Sequence, residues 1–130
     1  MRRHEFQPGF GIGSILSIAS LCSADLSGLR LWYSFGQHTK FNLAVCNGTE
    51  FIEAAFYRCN FSGVRFGIDK GGSNVMMTSS VFRYCDFSAA NLAEVYLKDT
   101  DFLGSCFDDE TQFPEGFRPG AAGMVHRAQK

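Results

Sequence analysis

A five-residue period of large apolar side chains runs through most of the chain and limits how it can fold. An α-helix repeats about every 3.6 residues and a strand about every two, so neither predicts this period. The pattern therefore indicates an internal repeat, in which each unit gives one large side chain to a shared core. The large residues fall at Leu16, Leu21, Leu26, Leu31, Phe41, Cys46, Phe51, Phe56, Phe61, Phe66 and Met76 and, after a one-residue insertion, at Phe82, Phe87, Leu92, Leu97, Phe102 and Phe107.

Small or β-branched side chains occupy the position two residues before most of these centres. Ala24, Ala44, Thr49, Ala54 and Cys59 are examples. In a narrow coil, only a small inward side chain fits beside a large one. The chain also has 14 Phe against 4 Tyr and 1 Trp, as expected if one repeated core position prefers Phe. Both observations predict a coil with two inward positions in every unit.

Several units share a motif of a small residue, Asp or Asn, and then Leu or Phe. The motif occurs at residues 24–28, 59–63, 85–89 and 90–94. These units match the A(D/N)LXX repeat, and residues 14–113 resemble the pentapeptide-repeat family. The resemblance implies an all-β fold: a right-handed quadrilateral β-helix with four units to a coil and about five coils. The segment 111–119 is similar to the one that closes the coil in many cyanobacterial members.

The repeat and its interruptions predict the organisation of the chain. We expect an N-terminal cap at 1–13, the β-helix at 14–113 and a C-terminal cap and tail at 114–130. Turn-prone residues predict a loop at 69–74 and a weaker distortion at 34–38. Two alternatives stay open for residues 12–22: their apolar residues fit one face of a short capping helix, and they also fit a first coil.

Four units to a coil predict which core residues stack on one another. Because Cys59 and Cys85 fall in different stacks, this register predicts that no disulfide joins them. The predicted columns are Phe41, Phe61, Phe82 and Phe102; Cys46, Phe66, Phe87 and Phe107; Leu31, Phe51, Gly71 and Leu92; and Gly36, Phe56, Met76 and Leu97.

Composition and spacing indicate no catalytic, metal or cofactor site. Twelve Lys and Arg against thirteen Asp and Glu give a net charge of −1, so no attraction to nucleic acid or to an anionic membrane is expected. The five Cys show no CxxC spacing, and the three His, His4, His38 and His126, have no nucleophile or second ligand at useful spacing. By phase, Cys22 and Cys106 point outward and the other three cysteines point inward, and Cys22 is the candidate for an exposed reactive thiol.

The N-terminus raises the question of export. Met1 to Arg3 precede a mildly apolar stretch at 10–21, as in a signal peptide. Glu5 and Pro8 interrupt the basic segment, and Gly and Ser dilute the apolar one. We therefore expect a cytoplasmic protein, with export as the alternative.

The expected function is that of a rigid, non-enzymatic interaction module, monomeric or weakly dimeric, with an unidentified protein partner. The resemblance also offers an alternative, because quinolone-resistance members of the family imitate DNA and bind gyrase. Imitation of DNA requires columns of carboxylates. The outward columns here are mixed, as in Arg30, Glu50, Lys70 and Asn91. An enzyme is a third alternative.

One face is predicted to be unusually apolar on its outside. Such a surface either binds a protein or packs against a tail or the 69–74 loop. Trp32 with Tyr33, on the neighbouring face, is the next candidate. The residues predicted for the interaction face are Phe35, Tyr57, Val75, Met77 and Tyr96.

Overall fold

The computed structural model describes residues 12–127, which contain eight short strands and no helix. The strands are β1 (Phe35–Gln37), β2 (Glu50–Ile52), β3 (Ala55–Tyr57), β4 (Met76–Thr78), β5 (Val81–Arg83), β6 (Tyr96–Lys98), β7 (Cys106–Phe107) and β8 (Val125–His126). They form three parallel sheets, ordered β1-β3-β5, β2-β4-β6 and β7-β8, which confirms the predicted β-helix. His4 and most of the predicted N-terminal cap lie outside the described residues.

Pairing up to residue 67 joins positions 20 residues apart, which makes one coil of four five-residue units. Lys40 pairs with Asn60, for example, and each unit forms one of four faces. Residues 12–22 follow the same rule, because Ile15 pairs with Phe35 and Ser20 with Lys40. Residues 12–22 therefore form the first described coil and not a capping helix.

A tight turn separates each face from the next. At Leu43, the backbone is left-handed with φ of 62°, and the N–H of Ala44 donates to the carbonyl oxygen of Phe41 at 2.9 Å. Glycine adopts this conformation without strain and occupies the equivalent corner one coil later, at Gly63. The corners bring the chain round while the inward residues stay in register.

The inward side chains form one continuous apolar core. The Phe61 ring stacks on Phe41 with centroids 4.5 Å apart and on Phe87 at 5.1 Å, in nearly parallel planes. Such pairs add about 0.5–1.5 kcal/mol to the energy of burial. Of the residues predicted for the core, Leu97 and Phe107, in the last coil, are half-buried. The fully buried ones are Phe41, Phe51, Phe56, Phe61, Phe66, Phe82, Phe87, Leu92 and Phe102.

The 69–74 segment shifts the register by six residues. β2 pairs with β4 so that Phe51 lies opposite Met77, 26 residues away rather than 20. The sequence pattern treated Gly71 and Met76 as two successive centres. In the structure, Met77 is the single inward centre between Phe66 and Phe82. The predicted columns are therefore wrong beyond the loop.

Every column after the loop is displaced by one face relative to the prediction. The observed columns are Gly36, Phe56, Phe82 and Phe102; Phe41, Phe61, Phe87 and Phe107; Cys46, Phe66, Leu92 and Phe113; and Leu31, Phe51, Met77 and Leu97.

The distortion predicted around Gly36 does not occur. β1 pairs in register with β3, and Gly36 is buried in the core. A Cβ on Gly36 would lie 2.6 Å from Cδ1 of Phe56 and 2.8 Å from Oγ1 of Thr39. The Phe56 ring therefore fills the space that a side chain at Gly36 would occupy.

Inward hydroxyls donate to backbone carbonyls of the core residues on the preceding coil. Thr49 donates to the carbonyl oxygen of Leu26 at 2.7 Å, and Ser80 donates to that of Phe51 at 2.7 Å. No buried side-chain polar atom in residues 12–127 lacks a hydrogen-bond partner. The small inward position thus serves packing and hydrogen bonding together.

Cys59 and Cys85 share one column, contrary to the prediction. Their neighbours Asn60 and Asp86 are paired, so the two cysteines lie opposite each other on adjacent coils. The reason given for the absence of a disulfide is therefore wrong, although all five cysteines are free. Cys46 is buried alone, and burial raises the pKa of its thiol to about 12.

The C-terminal segment packs on the last coil. β8 pairs with β7, the Phe117 ring lies 5.8 Å from Phe102, and Met124 is buried. Arg127 Nη1 also donates to Asp86 Oδ2 at 2.9 Å. These contacts cover the core at this end of the coil.

Candidate interaction face

The β1-β3-β5 sheet presents side chains of several coils on one flat surface. Its middle residues, Gly36, Phe56 and Phe82, point into the core. Because side chains alternate along a strand, the flanking residues point outward. These outward residues are Phe35, Gln37, Ala55, Tyr57, Val81 and Arg83.

Two aromatic rings pack together on this surface. Phe35 on β1 and Tyr57 on β3 have ring centroids 6.0 Å apart, tilted by 48°. Phe35 is nevertheless 39% exposed. Their contact therefore holds one exposed ring and one half-buried ring together at the surface.

The corner that follows each of these strands continues the aromatic surface. The guanidinium of Arg58 lies 5.2 Å from the ring centroid of Tyr84, a cation–π distance. Tyr84 is 53% exposed. A Cβ on Gly104 would lie 2.5 Å from Cδ1 of Tyr84, so the glycine lets the ring lie over the next coil.

Arg83 forms the main ion pair of this surface. Its Nε and Nη2 atoms donate to Oδ2 of Asp101 at 2.9 and 2.7 Å. The hydrogen bonds and charge of Arg83 lower the pKa of the Asp101 carboxyl, and Asp101 raises that of Arg83. Arg83 is thus neutralised within the molecule, while Arg58 stays paired with an aromatic ring.

We call the surface formed by Phe35, Tyr57, Arg58, Arg83 and Tyr84 the aromatic face. Exposed aliphatic side chains extend it toward both ends of the coil. They are Ile15, Ile18 and Leu103. Contiguous apolar area with arginine and tyrosine is typical of protein interfaces.

The structure separates the residues that the sequence placed on one interaction face. Phe35 and Tyr57 lie together, but Tyr96 lies on β6, in a different sheet. Val75 and Met77 are buried in the core and cannot belong to an exposed face. The six-residue shift at the loop explains all three displacements.

Trp32 and Tyr33, the next candidate, lie on the β2-β4-β6 side and the corner after it. The Trp32 Nε1–H donates to Glu50 Oε1 at 2.7 Å, and the Arg30 guanidinium lies 5.4 Å from the Trp32 ring. The Trp32 N–H is therefore already bonded within the molecule, and the Trp32 ring contacts Arg30 as the Tyr84 ring contacts Arg58.

Arg58 and Tyr84 were missed by the sequence reasoning, although a signal for them exists. Taking Met77 as a centre puts the small residue Val75 two positions before it and Phe82 five positions after it. No insertion is then needed between Met77 and Phe82, and the whole register shift falls in the loop, where it places Tyr84 beside Arg58. The regular spacing from Met77 to Phe82 was the available evidence.

The loop and the tail are the two segments that the sequence offered as covers for this surface. In the loop, Asp69 packs over Gly48, and Asn74 Nδ2 donates to the carbonyl oxygen of Glu94. Gly48 and Glu94 belong to the corner opposite the one that holds Arg58. The tail pairs with β7, and at Gly123 it also contacts Leu103 and Gly104 at the C-terminal end of the aromatic face.

The remaining candidate reactive groups within residues 12–127 lie apart from one another. Cys22 is half-buried, and its thiol donates to Asn42 Oδ1 at 3.6 Å, so it is not the exposed group that the phase predicted. His38 is exposed, and His126 contacts Asp109 Oδ1 at 2.7 Å as part of the docked tail. No cluster of three or more His, Cys, Asp or Glu suited to a metal ion occurs in the described part of the chain.

The outward columns carry no continuous row of carboxylates between residues 12 and 127. In the observed register, Asp25 is followed by Val45, Arg65 and Asn91, one coil after another. Lys40 is followed by Asn60 and Asp86. Such alternation does not resemble the charge pattern of a DNA backbone.

None of the residues from 12 to 127 form a helix that is long and apolar enough to cross a membrane.

A comparison with protein families matches the family described as pentapeptide repeats. Eight copies of the repeat match, at residues 37–67 and 77–109. The two matched stretches stop on either side of the 69–74 loop. No curated protein matches the sequence.

Several solved structures that match this chain are pentapeptide repeat proteins, and one of them, Rfr23, resembles it in fold. Rfr23 from the cyanobacterium Cyanothece 51142 is 20% identical, covers 78% of this chain and 62% of its own, and gives a TM-score of 0.62. A thylakoid lumen protein from Arabidopsis thaliana is also 20% identical, covering 88% and 62% with a TM-score of 0.34. HetL, involved in heterocyst differentiation regulation in Nostoc sp. strain PCC 7120, is 17% identical, covering 81% and 55% with a TM-score of 0.37. The chain thus spans less than two thirds of each.

Proposed function

Since the chain belongs to the pentapeptide-repeat family and folds as a right-handed β-helix, we propose that it is a non-enzymatic, rigid module that binds another protein through its aromatic face. The match is to a repeat family and not to a catalytic one. The protein acts in this proposal as a monomer or weak homodimer whose outer surface carries the specificity.

The aromatic and arginine side chains at this surface carry the proposal. Phe35 and the half-buried Tyr57 lie on adjacent strands of one parallel sheet, and Arg58 and Tyr84 are exposed at the corner beside them. Tyr and Arg are enriched among the residues that contribute most to binding at interfaces. Here the strands are fixed by a fully packed core, so little backbone entropy is lost on binding. A flat, rigid and partly apolar surface favours a protein partner over a small molecule.

The charges on the face indicate the chemistry of the partner. Asp101 already pairs with Arg83, whereas Arg58 contacts the Tyr84 ring. A carboxylate of the partner would therefore meet Arg58 at the edge of an apolar contact with Phe35 and Tyr57. Such a partner has an apolar patch bordered by acidic residues.

The test compares three immobilised proteins as baits in an extract of the cells in which the protein occurs: wild type, Arg58→Glu and Lys98→Glu. Lys98 is exposed on β6, in the other three-stranded sheet, so Lys98→Glu makes the same change of charge away from the aromatic face. We expect wild type and Lys98→Glu to retain the same partner in equal amounts. Arg58→Glu should retain about tenfold less or lower, as for a central contact worth more than about 1.4 kcal/mol.

Two results would contradict the proposal. One is equal recovery of the partner by all three baits while circular dichroism shows that each is folded. The other is failure of the wild-type bait to retain any protein, with no self-association in sedimentation. Loss of binding with Lys98→Glu alone would assign the interface to the β2-β4-β6 sheet instead.

A further inference from the structure

Two buried thiols face each other across adjacent coils behind the aromatic face. Cys59 and Cys85 directly follow Arg58 and Tyr84 in the chain, and they are 2% and 1% exposed. Because Asn60 pairs with Asp86, the two cysteines occupy the same position on successive coils. This pairing arises only because the loop shifts the register by six residues.

Each thiol also contacts a backbone carbonyl. The Cys59 thiol donates to the carbonyl oxygen of Tyr57 at 3.4 Å, and the Cys85 thiol donates to that of Arg83 at 3.4 Å. The neighbouring Cys85 thiol lowers the pKa of the Cys59 thiol, while burial raises the pKa of Cys85. Both directions agree with the pairing that places the two cysteines opposite each other.

We propose that Cys59 and Cys85 form a peroxide-sensitive pair that closes into a disulfide between adjacent coils. Facing residues on parallel strands have Cα atoms about 4.8 Å apart. Disulfides accept Cα separations of about 4.4–6.8 Å, so the backbone spacing permits the bond.

Hydrogen peroxide is the oxidant in this proposal. The Cys59 thiolate attacks one peroxide oxygen, the O–O bond breaks, and Cys59 becomes a sulfenic acid while the released hydroxide takes up a proton to form water. The Cys85 sulfur then attacks the Cys59 sulfur, the S–O bond breaks, and the hydroxide that leaves takes the proton of Cys85. Two thiols and one peroxide thus give one disulfide and two waters, with the thiols losing two electrons.

Burial selects the reagent that reaches the pair. Peroxide is close to water in size, whereas a maleimide is too large to reach a closed core. Cys22 and Cys106 are half-buried and more accessible, and Cys46 is buried without a second cysteine opposite it. Native alkylation therefore blocks the accessible thiols first, and Cys46 remains as an internal control.

The experiment exposes the full-length, alkylated protein to hydrogen peroxide and then digests it with trypsin without reduction. Cleavage after Lys and Arg places Cys46, Cys59 and Cys85 in separate peptides, 41–58, 59–65 and 84–98. Mass spectrometry should detect a linked peptide joining 59–65 to 84–98, while Cys46 stays reduced. A dithiol reductant should restore both thiols.

Single serine variants serve as controls. Serine suits this position, because Thr39 and Ser105 occupy the same column. Cys59→Ser and Cys85→Ser should give no linked peptide, and Cys46→Ser should give as much as wild type. The proposal is overturned if wild type keeps three free thiols, if Cys59 ends as a sulfinic acid without linkage, or if linkage to Cys46 is as abundant.

Discussion

At Gly36, the fit of one side chain depends on the absence of another. The Phe56 ring occupies the space beside the glycine, and both residues are buried. The sequence pattern identified Gly36 as an exception to the apolar centres. It does not show that the Phe one coil away fills the gap, because that requires the positions of neighbouring side chains.

Gly36→Ala should destabilise the protein by about 1–3 kcal/mol, the usual cost of overpacking a core. The added methyl would meet Phe56 at 2.6 Å and Thr39 at 2.8 Å, and this repulsion exceeds the roughly 0.4–1 kcal/mol gained by removing glycine from the unfolded chain. The midpoint of urea unfolding measures the change. Gly71→Ala is the matched control, since its nearest atom is at an ordinary 3.5 Å. Equal midpoints for the two variants would show that the Phe56 ring has room to move.

At the scale of elements, the sequence predicted the coil correctly up to the loop. The pairings of Lys40 with Asn60 and of Phe35 with Ala55 follow directly from a 20-residue coil. Beyond residue 74 the columns were wrong, because a loop of unknown length leaves the phase of the next repeat open. The same error moved Tyr84 away from Arg58 and placed Val75 and Met77 outside the core. Local spacing predicts that a repeat exists, but the length of the loop decides which units pair with each other on adjacent coils.

The Asp86 carboxylate binds Arg127 of the C-terminal segment, and the strength of this ion pair depends on pH. Burial alone would raise the pKa of the Asp86 carboxyl, but hydrogen bonds from Ser88 and Cys106 and the charge of Arg127 lower it below 3.8. A carboxyl with a lowered folded pKa stabilises the protein fully above its unfolded pKa. That contribution is lost as the pH falls through the folded value.

Asp86→Asn should therefore lower the free energy of unfolding by about 1 kcal/mol at pH 7, a value reduced by partial solvent exposure. The difference from wild type should shrink steadily as the pH falls below about 4. Urea unfolding at pH 7, 5 and 3 measures it. Glu94→Gln, a change at an exposed carboxylate, should show a smaller effect at pH 7. A difference that stays constant down to pH 3 would show that the carboxylate charge does not hold the tail.

At the scale of the whole molecule, one core supports outer surfaces that vary independently. Each coil contacts only its neighbours, so the stability of a solenoid is close to a sum of local terms. Inward residues such as Phe61 and Phe87 must fit one another, whereas Tyr57 and Arg83 can change without disturbing the stack. Family membership is therefore readable from the core, and the function proposed here rests on the outward residues of one sheet.

The same architecture predicts that protection from hydrogen exchange varies along the coil axis. Leu16 and Leu21, in the first described coil, are half-buried, whereas Phe61 and Phe87 are fully buried. The Phe61 ring stacks on a ring of each neighbouring coil, and the Phe87 ring stacks on Phe61 in the preceding coil. The amides of Phe61 and Phe87 also donate to the next coil at 2.8 and 2.9 Å. We expect these central amides to exchange at least about tenfold more slowly than those of Leu16 and Leu21, because end coils open without breaking central contacts. Exchange of the intact protein at pH 7, followed by pepsin digestion and mass spectrometry, measures this gradient. Equal protection from the first coil to the centre would mean that the solenoid opens only as a whole.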